Sequence, residues 1–537
     1  MNDSRIQYRK IRAPKQHNQF LIDPPLADAA NLIQANQEAL QNSAPLMIGG
    51  LPLLELRQTA RTRLIDQAYD YSSRYLPIEK PVHPTLIFLS GHQPKLFHPG
   101  VWFKNILLHR LAAAHHATSI NLIIDNDLCG EPFIKVPTGS IESPVIEQIA
   151  FDTSQANLPF EEAEVQSPEL FTSFAQRVTQ ALLHDVEGNQ ITSYWEKVNG
   201  TDSNNIGLKF SQARHITEAQ QGITNLEVPL SSICDTPEFI RFCCHLICES
   251  QTLSEIYNRS LLEYRKTHKI RSQSHPVPTL EHTESSIELP LWIWSQGQPT
   301  RRRLFCIKQN QVITLLDEDG NQFGKLDFSN GFDDAIKQFH DLSSEGIRIR
   351  PRALMTTMYC RLILSDLFLH GIGGGKYDQL TDHIAEQFLG FPLPAFLMAT
   401  ATVKLFPNQS EQPRQTLETI EADLRDIKFS PDKYAQKIFQ TGHPSHSSLE
   451  VLITKKQQHV KKEVEPADRA AWHAELQGLH DQIRELLKDD QLALQTNKLE
   501  AENSLRAFEL LDSREFSLVL FNGKTLLDLL VTATNTP

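Results

Sequence analysis

The sequence predicts an α/β fold: a parallel-sheet core with inserted segments, followed by a C-terminal helical hairpin or coiled coil. Three observations carry this. "TLIFLS" (85–90) and "INLIID" (120–125) are short and almost wholly apolar, as strands buried on both faces of a parallel sheet must be. Between them "GVWFKNILLHRLAAAHHA" (100–117) has helical spacing, so strand, helix and strand form a βαβ unit. Far downstream, Trp472, Leu476, Leu479, Ile483 and Leu486 repeat every four, three, four and three residues, the seam of a coiled coil.

Taken in order, residues 1–80 read as a helical segment. "DAANLIQANQEAL" and "LRQTARTRLIDQAYDYSSRYL" carry apolar residues at helical spacing. The core follows over 81–405, with insertions at about 140–345. Within it "PLWIWS", "RRRLFCIKQ" and "QVITLLDEDG" read as antiparallel strands with a turn at Asp319-Gly320. "IRIRPRA" reads as an arginine-bearing loop. A helix near Met355–Ile363, a strand near Asp366–His370, a glycine turn and a helix from Tyr377 to Phe388 come next. Residues 406–515 form the helical region, in which Leu492–Leu511 folds back on the seam helix. The seam serves either self-association or packing on the chain's own core. Residues 516–537 return as a strand and a short helix.

Composition limits the partners. Hydrophobic residues make up 40% of 537 and charged residues 22%, ordinary for a globular chain. A formal net charge of −13 argues against a general nucleic-acid binder but leaves room for a local phosphate pocket. There is no apolar run of about 18 residues, so no membrane span is expected. The polar N-terminus lacks a signal-peptide core, and seven cysteines without framework spacing fit reduced thiols. A cytoplasmic location is therefore expected. "CCHLIC" (243–248) lies in an apolar segment and reads as a core helix rather than a metal site.

Several motifs fail. "HGIGGGKY" has His370 where a phosphate-binding P-loop needs glycine, and no Ser or Thr after Lys376. There is no His-Glu-x-x-His and no Gly-x-Ser-x-Gly. What remains is polar residues at strand carboxyl ends, where open α/β sheets bind ligands. Gly91, His92, Gln93, Lys95 and His98 follow the first strand, and Asp125 and Asp127 the second. Gly371, Gly373, Gly374, Gly375 and Lys376 follow a later one. Glycine turns let backbone N–H groups approach phosphate, and histidine holds charge near neutral pH. Asp-x-Asp either orients sugar hydroxyls or a divalent cation, or is a plain turn. Arg348, Arg350 and Arg352 form a potential phosphate or carboxylate clamp. His98 is either a ligand contact or a helix cap. His109, His115 and His116 read as structural, and Arg301–Arg303 as a solvated strand edge.

In this order of motifs the chain resembles the bacillithiol-biosynthesis cysteine-adding enzymes (BshC-like). Gly91-His92-Gln93 stands where that family has Gly-Gln-Gln, with Leu96-Phe97 and Gly100 in register. "IIDNDLCGEP" matches its acidic strand end, Arg350-Pro351 its Arg-Pro loop, and Gly373-Gly374-Gly375 its Gly-Gly turn. His92 replaces a glutamine, and the acidic cluster is reduced to Asp-Asn-Asp. The resemblance implies a Rossmann-like core, dimerisation through the C-terminal helices, and a small-molecule substrate. The expected function is ligase- or nucleotidyltransferase-like. His92, His98 and Lys376 would be catalytic. Gly91, Gln93, Asp125, Asp127, Arg352, Gly373, Gly374 and Gly375 would hold ATP or another nucleotide. Such chemistry would bring magnesium with the nucleotide, and no residue is assigned as a metal ligand. The alternatives are a metal-dependent sugar-nucleotide glycosyltransferase using Asp125 and Asp127, and a non-catalytic dimeric scaffold.

Overall fold

The computed structural model describes residues 6–534 except 9, 44, 82–84, 408–411 and 440–442. Its centre is a six-stranded sheet. The first strand, β1 (Gln19–Asp23), comes from the segment expected to be helical, and it pairs antiparallel at one edge. Helix α1 (Leu53–Ser72) follows and packs behind the sheet. Then come β2 (Ile87–His92), α2 (Pro99–Ala114), β3 (Thr118–Ile123) and, after an insertion of one antiparallel hairpin (Phe133–Gly139 with Pro144–Ala150) and several helices, β4 (Leu226–Pro229). Asn36 ties the N-terminal segment to the sheet by donating to the Asp366 and Ala395 carbonyls at 2.9 and 2.8 Å.

The second sheet is antiparallel. It holds β5 (Ile287–Ser295), β6 (Gln298–Gln309), β7 (Val312–Leu316), β8 (Gln322–Asp327) and β9 (Ile347–Pro351) in the order β8-β7-β6-β5-β9. The arginine-bearing stretch is thus a strand and not a loop. Its alternating Ile347, Ile349 and Pro351 pair along β5, with Arg350 opposite Trp292. The chain then returns to the main sheet through α3 (Ala353–Tyr359), β10 (Leu367–His370), α4 (Ile372–Leu389) and β11 (Phe396–Thr402).

The main sheet runs β1-β11-β10-β2-β3-β4, all parallel except β1. Numbered by their appearance in the chain, its five parallel strands lie in the order 3-2-1-4-5. The direction of winding therefore reverses between β2 and β10. Successive residues of β2 enter different cores, as a doubly covered strand requires. Ile87 and Leu89 join Ile120, Leu122 and Val228 on one face, while Phe88 joins Leu369, Leu397 and Trp102 on the other. The helix Pro237–Cys248 buries Cys243 and Cys244 in the first of these cores, and all seven cysteines are free.

The C-terminal helices include α5 (Gln412–Phe429), α6 (His446–Val460), α7 (Arg469–Leu486) and α8 (Lys488–Leu511), with shorter helices at Pro431–Ile438 and Gly523–Ala533. The seam on α7 meets the chain's own helices. Trp472 stacks on His459 at 5.2 Å, and Ile483 is buried with Tyr434, Leu449 and Ile453. Helix α8 folds back chiefly along α5, with Lys498–Glu421 and Arg414–Glu509 ion pairs. "FSLVLF" is no strand: Leu518–Leu520 is a 3₁₀ turn whose Leu518 N–H donates to the Phe97 carbonyl at 2.8 Å. No helix among the described residues is long and apolar enough to cross a membrane.

Candidate functional site

At the reversal point between β2 and β10 the strand ends open into a cleft with two lobes. Gly91, Gln93, Ile124, His370, Gly374 and Tyr377 line both. The first lobe, about 370 Å³, lies under the starts of α2 and α4. The second, about 310 Å³, is roofed by the antiparallel sheet.

The first lobe is basic. Lys104, from the second turn of α2, is 2% exposed and donates to the Gly91 carbonyl at 2.8 Å. Burial, and then the Arg214 charge, push its ammonium down to about 8. Its aliphatic stem runs beside Gly371, the residue that opens α4. Among the described residues no side chain caps α4, and its first helical bond is Gly375 N–H to the Gly371 carbonyl. The amides of the first turn thus lack helical partners next to Lys104. Arg514, from the segment after α8, enters from the other side and donates to the Thr400 and Thr402 hydroxyls at 3.0 and 3.1 Å.

Burial favours the neutral form of His92 and His98. His92 Nδ1 lies 3.0 Å from the Gln93 carbonyl, and burial, with Lys104 nearby, lowers the ring to about 3. His98 caps α2, its Nδ1 accepting from Gly100 N–H at 3.0 Å, and it also lines the first lobe. Burial brings it down to about 4 against the pull of Glu515. Gly100 is irreplaceable on steric grounds, because a Cβ there would sit 2.3 Å from the Ala401 carbonyl oxygen.

The second lobe is built on Trp292. The Arg301 and Arg352 guanidiniums lie 4.2 and 4.3 Å from its ring centroid. Arg352 Nη2 pairs with Glu288 at 2.6 Å, while its buried Nε and Nη1 have no hydrogen-bond partner among the described residues. Arg301, expected on a solvated edge, instead turns inward to Asp127 at 3.0 Å. Gln93 Nε2 donates to the other Asp127 oxygen at 2.8 Å. Burial raises Asp127, but Gln93, Arg301 and the Leu128 N–H outweigh it and hold the carboxyl below its usual range.

Three expected site residues fall outside. Asp125 lines neither lobe. Its carboxyl accepts from the Ser231 N–H and hydroxyl, and burial beside Glu161 raises it to about 7. It therefore does not pair with Asp127, because the β3 end turns between them and Asn126 bonds the Pro351 carbonyl at 2.8 Å. Among the described residues no three His, Cys, Asp or Glu side chains gather as metal ligands. Lys376 is exposed and lines neither lobe; on α4 the cleft face holds Gly373, Gly374 and Tyr377. Gly375 serves packing, since a Cβ there would lie 2.2 Å from Met398 Sδ. Arg350 is bound to Glu161 and Asp235 and does not clamp a ligand.

Lys104, Arg301, His370 and Arg514 were missed. The available signal for Lys104 was a lysine inside "VWFKNILL", a helix with apolar residues on every side. Arg514 lies more than 100 residues beyond β11, and nothing local marks it.

Fold and site define an α/β protein with a basic, two-lobed cleft at the carboxyl ends of parallel strands. The chain matches no protein-family model and no curated protein.

Proposed function

We propose that the protein is a ligase- or nucleotidyltransferase-like enzyme with a Rossmann-like core, akin to the bacillithiol-biosynthesis cysteine-adding enzymes. The phosphates of ATP or another nucleotide would sit in the Lys104 lobe, and the acceptor molecule in the Trp292 lobe. The observation that carries the reading is Lys104, a buried cation beside the uncapped start of α4 at the reversal point. The strand order 3-2-1-4-5 supports the Rossmann-like assignment. The positive charge of Lys104 and the α4 amides meet the charge that gathers on phosphate oxygens in transfer. The unpartnered Arg352 donors favour an anionic group on the acceptor.

A thermal-shift panel of ATP, CTP, UDP-sugars and glucosaminyl-malate tests this. A nucleotide at about 100 times its Kd stabilises by about 2.7 kcal/mol. A flat response across the panel sinks the enzyme reading in favour of a scaffold.

Homodimerisation is also proposed, but not through the α7 seam. Leu492 and Leu499, seven residues apart on α8, are 63% and 61% exposed and offer the alternative stripe. Sedimentation should show a dimer that Leu492→Glu/Leu499→Glu dissociates; a monomeric native chain refutes the proposal.

A further inference from the structure

His370 ends β10 on the wall common to both lobes. Its Nε2 lies 2.9 Å from Asp378 Oδ2. The other side of Asp378 is held by the Thr357 hydroxyl at 2.8 Å, and Arg361 Nη1 reaches Oδ2 at 2.6 Å. Burial raises Asp378, but Arg361 and His370 outweigh it and keep it ionised. An ionised carboxylate accepts, so Nε2 carries the ring proton and Nδ1 keeps its lone pair. No described group bonds Nδ1. Beside it stands Gly374, where a Cβ would lie 2.6 Å away. Phe368 and Phe396, with ring centroids at 4.6 and 4.8 Å, fix the imidazole.

We propose that His370 is the general base of the transfer, taking through Nδ1 the proton of a nucleophile seated in the Trp292 lobe. This rests on the two-lobe reading above. The nucleophile's O–H, N–H or S–H bond gives its proton to Nδ1. The freed electron pair forms the bond to phosphorus or to an activated acyl carbon. The bond from that centre to the bridging oxygen breaks, and its pair leaves on the phosphate or nucleotide in the Lys104 lobe. The imidazolium then passes its proton to water. Asp378 acts through His370, as a positioning residue. The other charged groups around the ring are Arg361 and, from α2, Lys104. Burial, opposed by Asp378, lowers the ring below its usual 6.5, so the base is ready at neutral pH.

The test measures MgATP hydrolysis, with water standing in for the nucleophile, alongside the ATP-induced thermal shift. In His370→Gln, kcat should fall about 10²- to 10⁴-fold while the ATP shift survives. Lys376→Ala should leave both unchanged. The native acid limb of kcat should lie below pH 6.5. An unchanged kcat in His370→Gln overturns the proposal, whereas a missing ATP shift in the native protein overturns the nucleotide reading instead. If native hydrolysis is too slow to compare, diethyl pyrocarbonate decides, since it acylates unprotonated imidazole. Labelling of His370 that ATP suppresses supports the role, and an unreactive His370 refutes it.

Discussion

Lys104→Met should cut the nucleotide-induced rise in melting temperature to half or less and leave the free protein at least as stable. Lys104 is a buried cation whose one hydrogen-bond partner among the described residues is the Gly91 carbonyl. Holding its folded pKa at about 8 rather than 10.5 corresponds to about 3 kcal/mol against the charged form. That cost is present in full below pH 8, where both the folded and unfolded chains carry the proton. Between about 8 and 10.5 the unfolded chain binds a proton that the folded chain does not, so stability rises with pH through that window. The methionine variant should lose this rise. A charge-assisted contact contributes about 1.5–3 kcal/mol, so Kd for ATP should weaken roughly 10- to 100-fold. Native affinity should fall as pH climbs past about 8, and the variant's should not. Undiminished ATP binding by Lys104→Met, measured by calorimetry at pH 7 and 9, would remove the residue from the phosphate lobe.

The local pattern showed the first strand–helix–strand crossing and the strand-end location of the cleft. It did so because buried parallel strands and their turns have a short-range composition. Gly91, His92, Gln93, Asp127, Arg352, Gly373 and Gly374 all reach the cleft. What failed was facing. Lys376 and Gly374 are two residues apart on one helix, and a 3.6-residue turn sends them to different sides. Asp125 and Asp127 share a strand end, but Ser231 claims the first. β1 was hidden because a single edge strand of five residues, QFLID, carries little pattern of its own. The α7 seam was read with the right spacing, but spacing names no partner, and the partner is in the same chain.

Arg350 and Arg352 stand two residues apart, and their methionine variants should fail in opposite ways. Arg350 is 1% exposed, and its guanidinium meets both Glu161 oxygens at 2.9–3.2 Å and Asp235 at 2.9 Å. Breaking a buried pair from one side destabilises by about 3–5 kcal/mol. Glu161 would remain beside Asp125, two acids that burial already raises. Asp125 has a folded pKa near 7 against 3.8 unfolded, so the folded chain binds more protons between those values and stability falls as pH rises through them. Without Arg350 both acids favour protonation, so the deficit of Arg350→Met should grow from pH 5 to pH 8. Arg350→Lys should not restore it, since an ammonium cannot span both oxygens. Arg352→Met leaves Glu288 with the Glu281 N–H at 2.9 Å and Arg303 at 3.5 Å, so the loss in folding should be smaller. On the proposed reading its Nε and Nη1, without a hydrogen-bond partner among the described residues, serve the acceptor, so the loss should appear in acceptor binding. Urea midpoints at pH 5 and 8 rank the two. If Arg352→Met is the less stable, the assignment of one arginine to the fold and the other to the cleft is wrong.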